Sequence, residues 1–156
     1  FELLAGLGGT IRYLEKVGIT QGGAPGLPGQ GDRFRRPRLL AALSAIRRYE
    51  TELGTALLER VSALKGVRVH GIADPARAAE RCPTVAFTLE GHTPEAVARY
   101  LGERGIYLRN GDSYAYELQR ALGLAEDGSV RASLAHYNTL EEVERLGTAL
   151  DELVSA

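Results

Sequence analysis

Hydrophobic and polar positions along this chain switch between two periods, and the switches predict its elements. Over residues 130–135 the alternation is strict: Val130, Ala132 and Leu134 fall on one face, Arg131, Ser133 and Ala135 on the other. The first set is suited to burial under a helix, and the second aims an arginine away from that core. Thr139 with Glu142 three residues on is a capping box, so a helix is expected from about Leu140. Its stripe is Leu140, Val143, Leu146, Leu150, Leu153 and Val154.

Upstream, residues 3–17 read as a helix striped by Leu4, Leu7, Ile11 and Leu14, with Gly18 as its stop. Gly6, Gly8 and Gly9 weaken it, each by about 1 kcal/mol against alanine, and make sense where another backbone comes close. Residues 20–31 are too rich in Gly and Pro for regular structure and read as a mobile linker. No strand precedes them and no helix start follows at phosphate-loop spacing. After Pro37 a long helix is expected to Lys65, striped by Leu39, Leu43, Ile46, Leu53, Leu57, Val61 and Leu64, with Gly66 ending it. Strands follow at 67–71, 84–90 and 106–108. A helix capped by Thr93, with Pro94 at its first position, buries Val97, Tyr100 and Leu101 and stops at Gly105. A short helix covers 115–122. The expected class is α/β of the α+β type: a small, largely antiparallel sheet with helices packed on one face, plus a long N-terminal connecting helix.

Composition narrows the function classes. The chain has 156 residues, 44% hydrophobic and 25% charged, in the range of a soluble globular domain. A formal net charge of -1 supplies no electrostatic reason for nucleic acid or an anionic membrane as partner. The basic run of residues 32–38 therefore reads as a solvated helix start. A single cysteine, Cys82, excludes an internal disulfide and fits a reducing, cytoplasmic setting. It sits between Arg81 and Pro83 at a strand entrance, where a packed, inert thiol is expected. His70, His92 and His136 show no metal-ligand spacing, and His136 reads as a hydrogen-bonded turn residue. Taken alone, Arg131 is either a carboxylate ligand, through its planar two-pronged donors, or a surface ion pair.

The stretch VRASLAHYNTLEEVERL resembles the C-terminal signature of the class V pyridoxal-phosphate enzymes. The likeness extends to GIYLRNGDSYAYELQRALGL, to the strand entered through Arg81-Cys82-Pro83-Thr84-Val85-Ala86-Phe87, and to LAGLGGTIRYLEKVG near the start. It covers nearly the whole chain and is nearest to the cysteine desulfurase-like branch. The resemblance implies that Arg131 binds the α-carboxylate of an amino-acid substrate. It marks Arg109, Asp112 and Tyr114 as a candidate active-site loop. Desulfurases and selenocysteine lyases carry a thiol on that loop, and here it reads Asp112-Ser113-Tyr114, so persulfide chemistry by that route is not expected.

The family's pyridoxal phosphate is held by a lysine. The only lysines here, Lys16 and Lys65, lack that context, so no catalytic, cofactor-binding or metal-binding residue is expected in this chain. With no methionine and a start inside a helix, the chain is expected to be a C-terminal piece of a longer, homodimeric enzyme. Residues 1–33 would then be the helix and linker from a large domain, and residues 34–156 the small domain. The alternatives are a stand-alone amino-acid-binding or regulatory module, or a structural interaction domain. The last requires Arg131 to be exposed and paired with a neighbouring carboxylate.

Overall fold

The computed structural model describes residues 1–26 and 32–155, so residues 27–31 of the expected linker lie outside the described residues. Two compact units are present, Phe1–Tyr49 and Glu50–Ala156.

The first unit holds α1 (Glu2–Thr20) and the first part of α2 (Arg35–Ser62). Gly18 does not stop α1, which continues to Thr20. Its role is close approach: a Cβ at Gly18 would run into the carbonyl of Arg38, with the carbonyl carbon at 2.8 Å. One turn on, a Cβ at Gly22 would meet the carbonyl carbon of Ala41 at 2.7 Å. These two glycines let the end of α1 lie backbone against backbone on α2. Gly6 and Gly9 instead face open space, and Leu4 and Leu7 of the predicted stripe are exposed. No backbone within the described residues meets those glycines.

The basic run is also not wholly solvated, because Arg38 is completely buried. Its Nη1 lies 3.5 Å from Oε1 of the buried Glu15, and its Nε donates to the carbonyl of Pro25 at 3.3 Å. Desolvating a guanidinium is tolerable only with such partners.

The second unit is built on a four-stranded antiparallel sheet of order β1-β2-β4-β3: β1 (Val67–His70), β2 (Thr84–Leu89), β3 (Arg109–Gly111) and β4 (Ser129–Ser133). Alternation puts Val85, Phe87, Val130 and Ala132 on one face. They pack with Leu57, Leu58 and Val61 from the end of α2, Val97 and Leu101 of α3 (Pro94–Gly102), and Val143, Leu146 and Leu150 of α5 (Leu140–Ser155). Each of these large side chains contributes roughly 1.5–3 kcal/mol on leaving water. The fold class is therefore as expected.

Several boundaries differ. α2 ends at Ser62, and Leu64 is buried in the turn before Gly66, whose φ of +76° closes it. α3 ends at Gly102, not Gly105. The third strand pairs at Arg109–Gly111 rather than 106–108. Ile106 and Leu108 produce the apolar alternation because they pack against the core, whereas the ladder to β4 is made by the polar residues after them. Leu140, counted in the last helical stripe, is exposed.

Gly18→Ala is expected to destabilise the first unit by about 1–3 kcal/mol, as for other overpacked sites. This runs against the ~1 kcal/mol that alanine gains as a helix former. Urea unfolding followed by circular dichroism measures it, and a stabilised variant would refute the close approach.

Candidate functional site

β4 lies between β2 and β3, so its outward residues look across the face that the core helices leave free. Register places His70 opposite Ala86, Ala86 opposite Arg131, and Arg131 opposite Arg109, one row across all four strands. Residues directly opposite share a face. The neighbouring rows add Arg68 opposite Thr88 and Thr84 opposite Ser133. Thr84 Oγ1 donates to Ser133 Oγ at 3.1 Å. This face carries Arg68, His70, Arg109 and Arg131, and none of its strand positions is acidic.

Arg131 is partly exposed, yet its Nε is buried and makes no hydrogen bond among the described residues. No carboxylate among them forms an ion pair with it. The surface-ion-pair reading, on which the structural interaction domain depended, has no partner residue here. A buried N–H without an acceptor is worth about 1–3 kcal/mol to whatever satisfies it.

Arg109 begins β3 and is exposed. β3 is held to β4 by the close approach of Gly128, whose φ is +73°, to Gly111, where an added Cβ would meet the Gly111 Cα at 2.6 Å. The loop after β3 is strained: Ser113 and Tyr114 both have left-handed backbones, with φ of 53° and 60°. For non-glycine residues this stores of order 1–3 kcal/mol each. Asp112 supports the turn, its Oδ1 accepting from the Tyr114 N–H at 2.9 Å and its carbonyl from Ala115 N–H at 2.9 Å. Tyr114 is 94% exposed, and the buried Ser113 Oγ has no partner among the described residues. The loop leads to α4 (Tyr116–Ala121), where Gln119 donates to Ser129 Oγ at 3.1 Å and covers that end of the face. Adjacency of β3 and β4 thus brings Arg109 to Arg131, with Asp112 and Tyr114 on the loop that leaves β3.

The turn from β4 to α5 is a hydrogen-bonded unit. Ala135 N–H donates to Asn138 Oδ1 at 2.8 Å, and Asn138 Nδ2 to Glu142 Oε2 at 3.0 Å. The capping box forms in both directions, Thr139 N–H to Glu142 Oε2 at 3.0 Å and Glu142 N–H to Thr139 Oγ1 at 3.3 Å. Asn138 first, then the Thr139 backbone, holds the Glu142 carboxyl below its usual range. His136 is the turn residue expected, its N–H donating to Glu50 Oε1 at 3.0 Å.

Arg68 and His70 share this face but are not singled out by the sequence, where His70 is weighed only as a metal ligand. The signal that marks them is the pattern of VRVH, which repeats the inward-outward alternation of VRAS. Burial, and then Arg68, lower the His70 pKa, and its Nε2 lies 3.1 Å from Thr88 Oγ1. Cys82 is exposed, contrary to the packed thiol expected. Among the described residues no group of three His, Cys, Asp or Glu side chains is placed to hold a metal, and no helix is long and apolar enough to cross a membrane.

With a folded pKa below the ordinary 6.5, His70 binds fewer protons than it does in the unfolded chain. Stability should therefore be full above pH 6.5 and fall as pH drops from there through the folded pKa. In His70→Gln this part of the pH dependence of urea unfolding is expected to flatten. An identical slope in both proteins would contradict it.

The model of the Aminotransferase class-V family matches residues 39–146. A cysteine desulfurase of Synechococcus elongatus is 37% identical over 93% of this chain and 18% of its own length. A probable cysteine desulfurase of Xylella fastidiosa is 37% identical over 93% of this chain and 27% of its own. The apo structure of cysteine desulfurase from Thermococcus onnurineus superposes with a TM-score of 0.65 at 30% identity, covering 83% of this chain and 32% of that one. A cysteine desulfurase of Escherichia coli gives 0.59 at 27% identity, over 81% and 32%. The chain thus spans about a third or less of the length of these relatives. The likeness covers the sheet, its helices and the Arg131 turn, and by it this chain belongs to the aminotransferase class-V family, on its cysteine desulfurase-like side.

Proposed function

We propose that this chain is the substrate-gripping, C-terminal part of a pyridoxal-phosphate-dependent class V enzyme acting on an amino acid. The observation that carries the reading is the unpartnered, buried Nε of Arg131 on an acid-free sheet face. A guanidinium there meets a carboxylate with two parallel charge-assisted hydrogen bonds, which hold the substrate in orientation as well as binding it. Arg109, Asp112 and Tyr114 border the same edge and limit what the substrate side chain can be. Serine and tyrosine in place of a thiol argue against persulfide formation on this loop. The reaction is then a transfer or lyase step at a C–S, C–Se, C–C or α-C–H bond whose proton movements belong to groups outside this chain.

The cofactor does not fit the residues present. Pyridoxal phosphate supplies an electron sink once a lysine holds its aldehyde. Lys16 is exposed on α1 and Lys65 is exposed in the turn after α2. Neither stands in a buried pocket that could enclose the aldehyde and shut out water. No step through the cofactor is derived from this chain, and by itself the chain is proposed to be inactive.

The large domain that would bind the cofactor, a homodimeric assembly and a cytoplasmic setting complete the proposal. Residues 1–33 would then be the connection to the large domain and residues 34–156 the small domain. The exposed Leu3, Leu4 and Leu7 of α1 favour this over a stand-alone amino-acid-binding module, which would leave them in water.

In the full-length enzyme, Arg131→Ala is expected to lower kcat/KM for the amino acid by about 10²-fold, the loss of a pair of charged hydrogen bonds. Cofactor absorbance should be unchanged. Arg131→Lys should recover part of the loss, since an ammonium cannot make the planar pair. Unaltered kinetics in Arg131→Ala would remove the assignment.

A further inference from the structure

Arg109 and Arg131 occupy facing positions of β3 and β4. Cβ atoms at such positions are roughly 4.5–5.5 Å apart, and like charges there repel. Arg68 adds a third guanidinium to the same face, and no strand residue on it is acidic. Asp112, the first acid beyond β3, is turned to its own loop by the bond to Tyr114 N–H.

Composition does not force this arrangement, since the chain carries 20 acidic against 19 basic side chains. Several arginines elsewhere are paired, Arg38 with Glu15, Arg60 with Glu144 and Asp151, Arg77 with Glu80, Arg104 with Glu152. Among the described residues Arg109 and Arg131 have no carboxylate between them. The packing of Gly128 on Gly111 holds the two strands in register and keeps the charges together. Ala86, the other neighbour of Arg131 in the row, is small and takes up little of the space beside the guanidinium. Two cations rooted at facing strand positions, with no acid on that face, are relieved most by a ligand bearing two anionic groups.

We infer that the Arg109–Arg131 pair selects an amino acid with a second acid group on a short side chain, the α-carboxylate on Arg131 and the side-chain acid on Arg109. The inference rests on the reading of Arg131 as the carboxylate ligand, and names the substrate class of that same site. A side-chain carboxylate and a sulfur oxyacid of similar length present the same oxyanion chemistry to the second guanidinium.

Succinate and propionate serve as unreactive probes of charge number, titrated calorimetrically into the full-length protein at fixed ionic strength. Succinate is expected to bind at least tenfold tighter than propionate. Arg109→Gln should abolish that preference while leaving propionate affinity within twofold, and Arg131→Gln should weaken both ligands by tenfold or more. If succinate binds no tighter than propionate while Arg131→Gln still weakens propionate, the dianion inference is overturned and the carboxylate reading stands. If Arg131→Gln alters neither ligand, the carboxylate reading fails and the inference with it. Arg68→Gln is expected to leave the preference in place. An equal loss in Arg68→Gln and Arg109→Gln would mean a diffuse positive field rather than a paired site, and would also overturn the inference.

Discussion

The structure depends on β4 being an interior strand. With β2 on one side and β3 on the other, its backbone groups are satisfied by ladder bonds, and only its side chains remain to be placed. Period-two alternation then does two things with one segment. Val130 and Ala132 seal the core, and Arg131 is held on the opposite face by the burial of its neighbours. A one-residue slip would bury the guanidinium and expose the valine, so the hydrophobic face itself fixes where the arginine stands.

The elements around β4 reinforce that placement from both ends. Before it, Gly128 allows the chain to lie on Gly111 and locks β3 alongside. After it, Asn138, Thr139 and Glu142 tie the strand exit at Ala135 to the start of α5 through four side-chain bonds. The strained Ser113–Tyr114 backbone sits in the loop that leaves β3. Strain of this kind persists only where the surroundings over-determine it, and here a glycine contact and an aspartate turn do so. A rigid frame with a strained, polar loop and cations unpaired among the described residues is what the proposed recognition role calls for.

The first unit is held together differently. Its helices meet through missing side chains, at Gly18 and Gly22, and through a buried Glu15–Arg38 pair rather than an apolar stripe. The apolar residues that periodicity assigned to a core, Leu4 and Leu7, are bare. The spacing of apolar residues along a helix says which face seeks cover, and does not say that the cover lies in the same chain.

Local chemistry alone determined the capping box at Thr139, the cap at Thr93, the alternation of β2 and β4 and the long α2, because each is decided by residues within a few positions of one another. The matching motifs were likewise enough to mark Arg131 and the Arg109, Asp112 and Tyr114 loop as site candidates. What only the tertiary structure decided is which strands neighbour one another. That order put Arg109 opposite Arg131, brought Arg68 and His70 to the same face, delayed β3 to the polar residues after Leu108, and buried Arg38 from within a basic run. Strand pairing and helix crossing join residues far apart along the chain, and no local period carries that information.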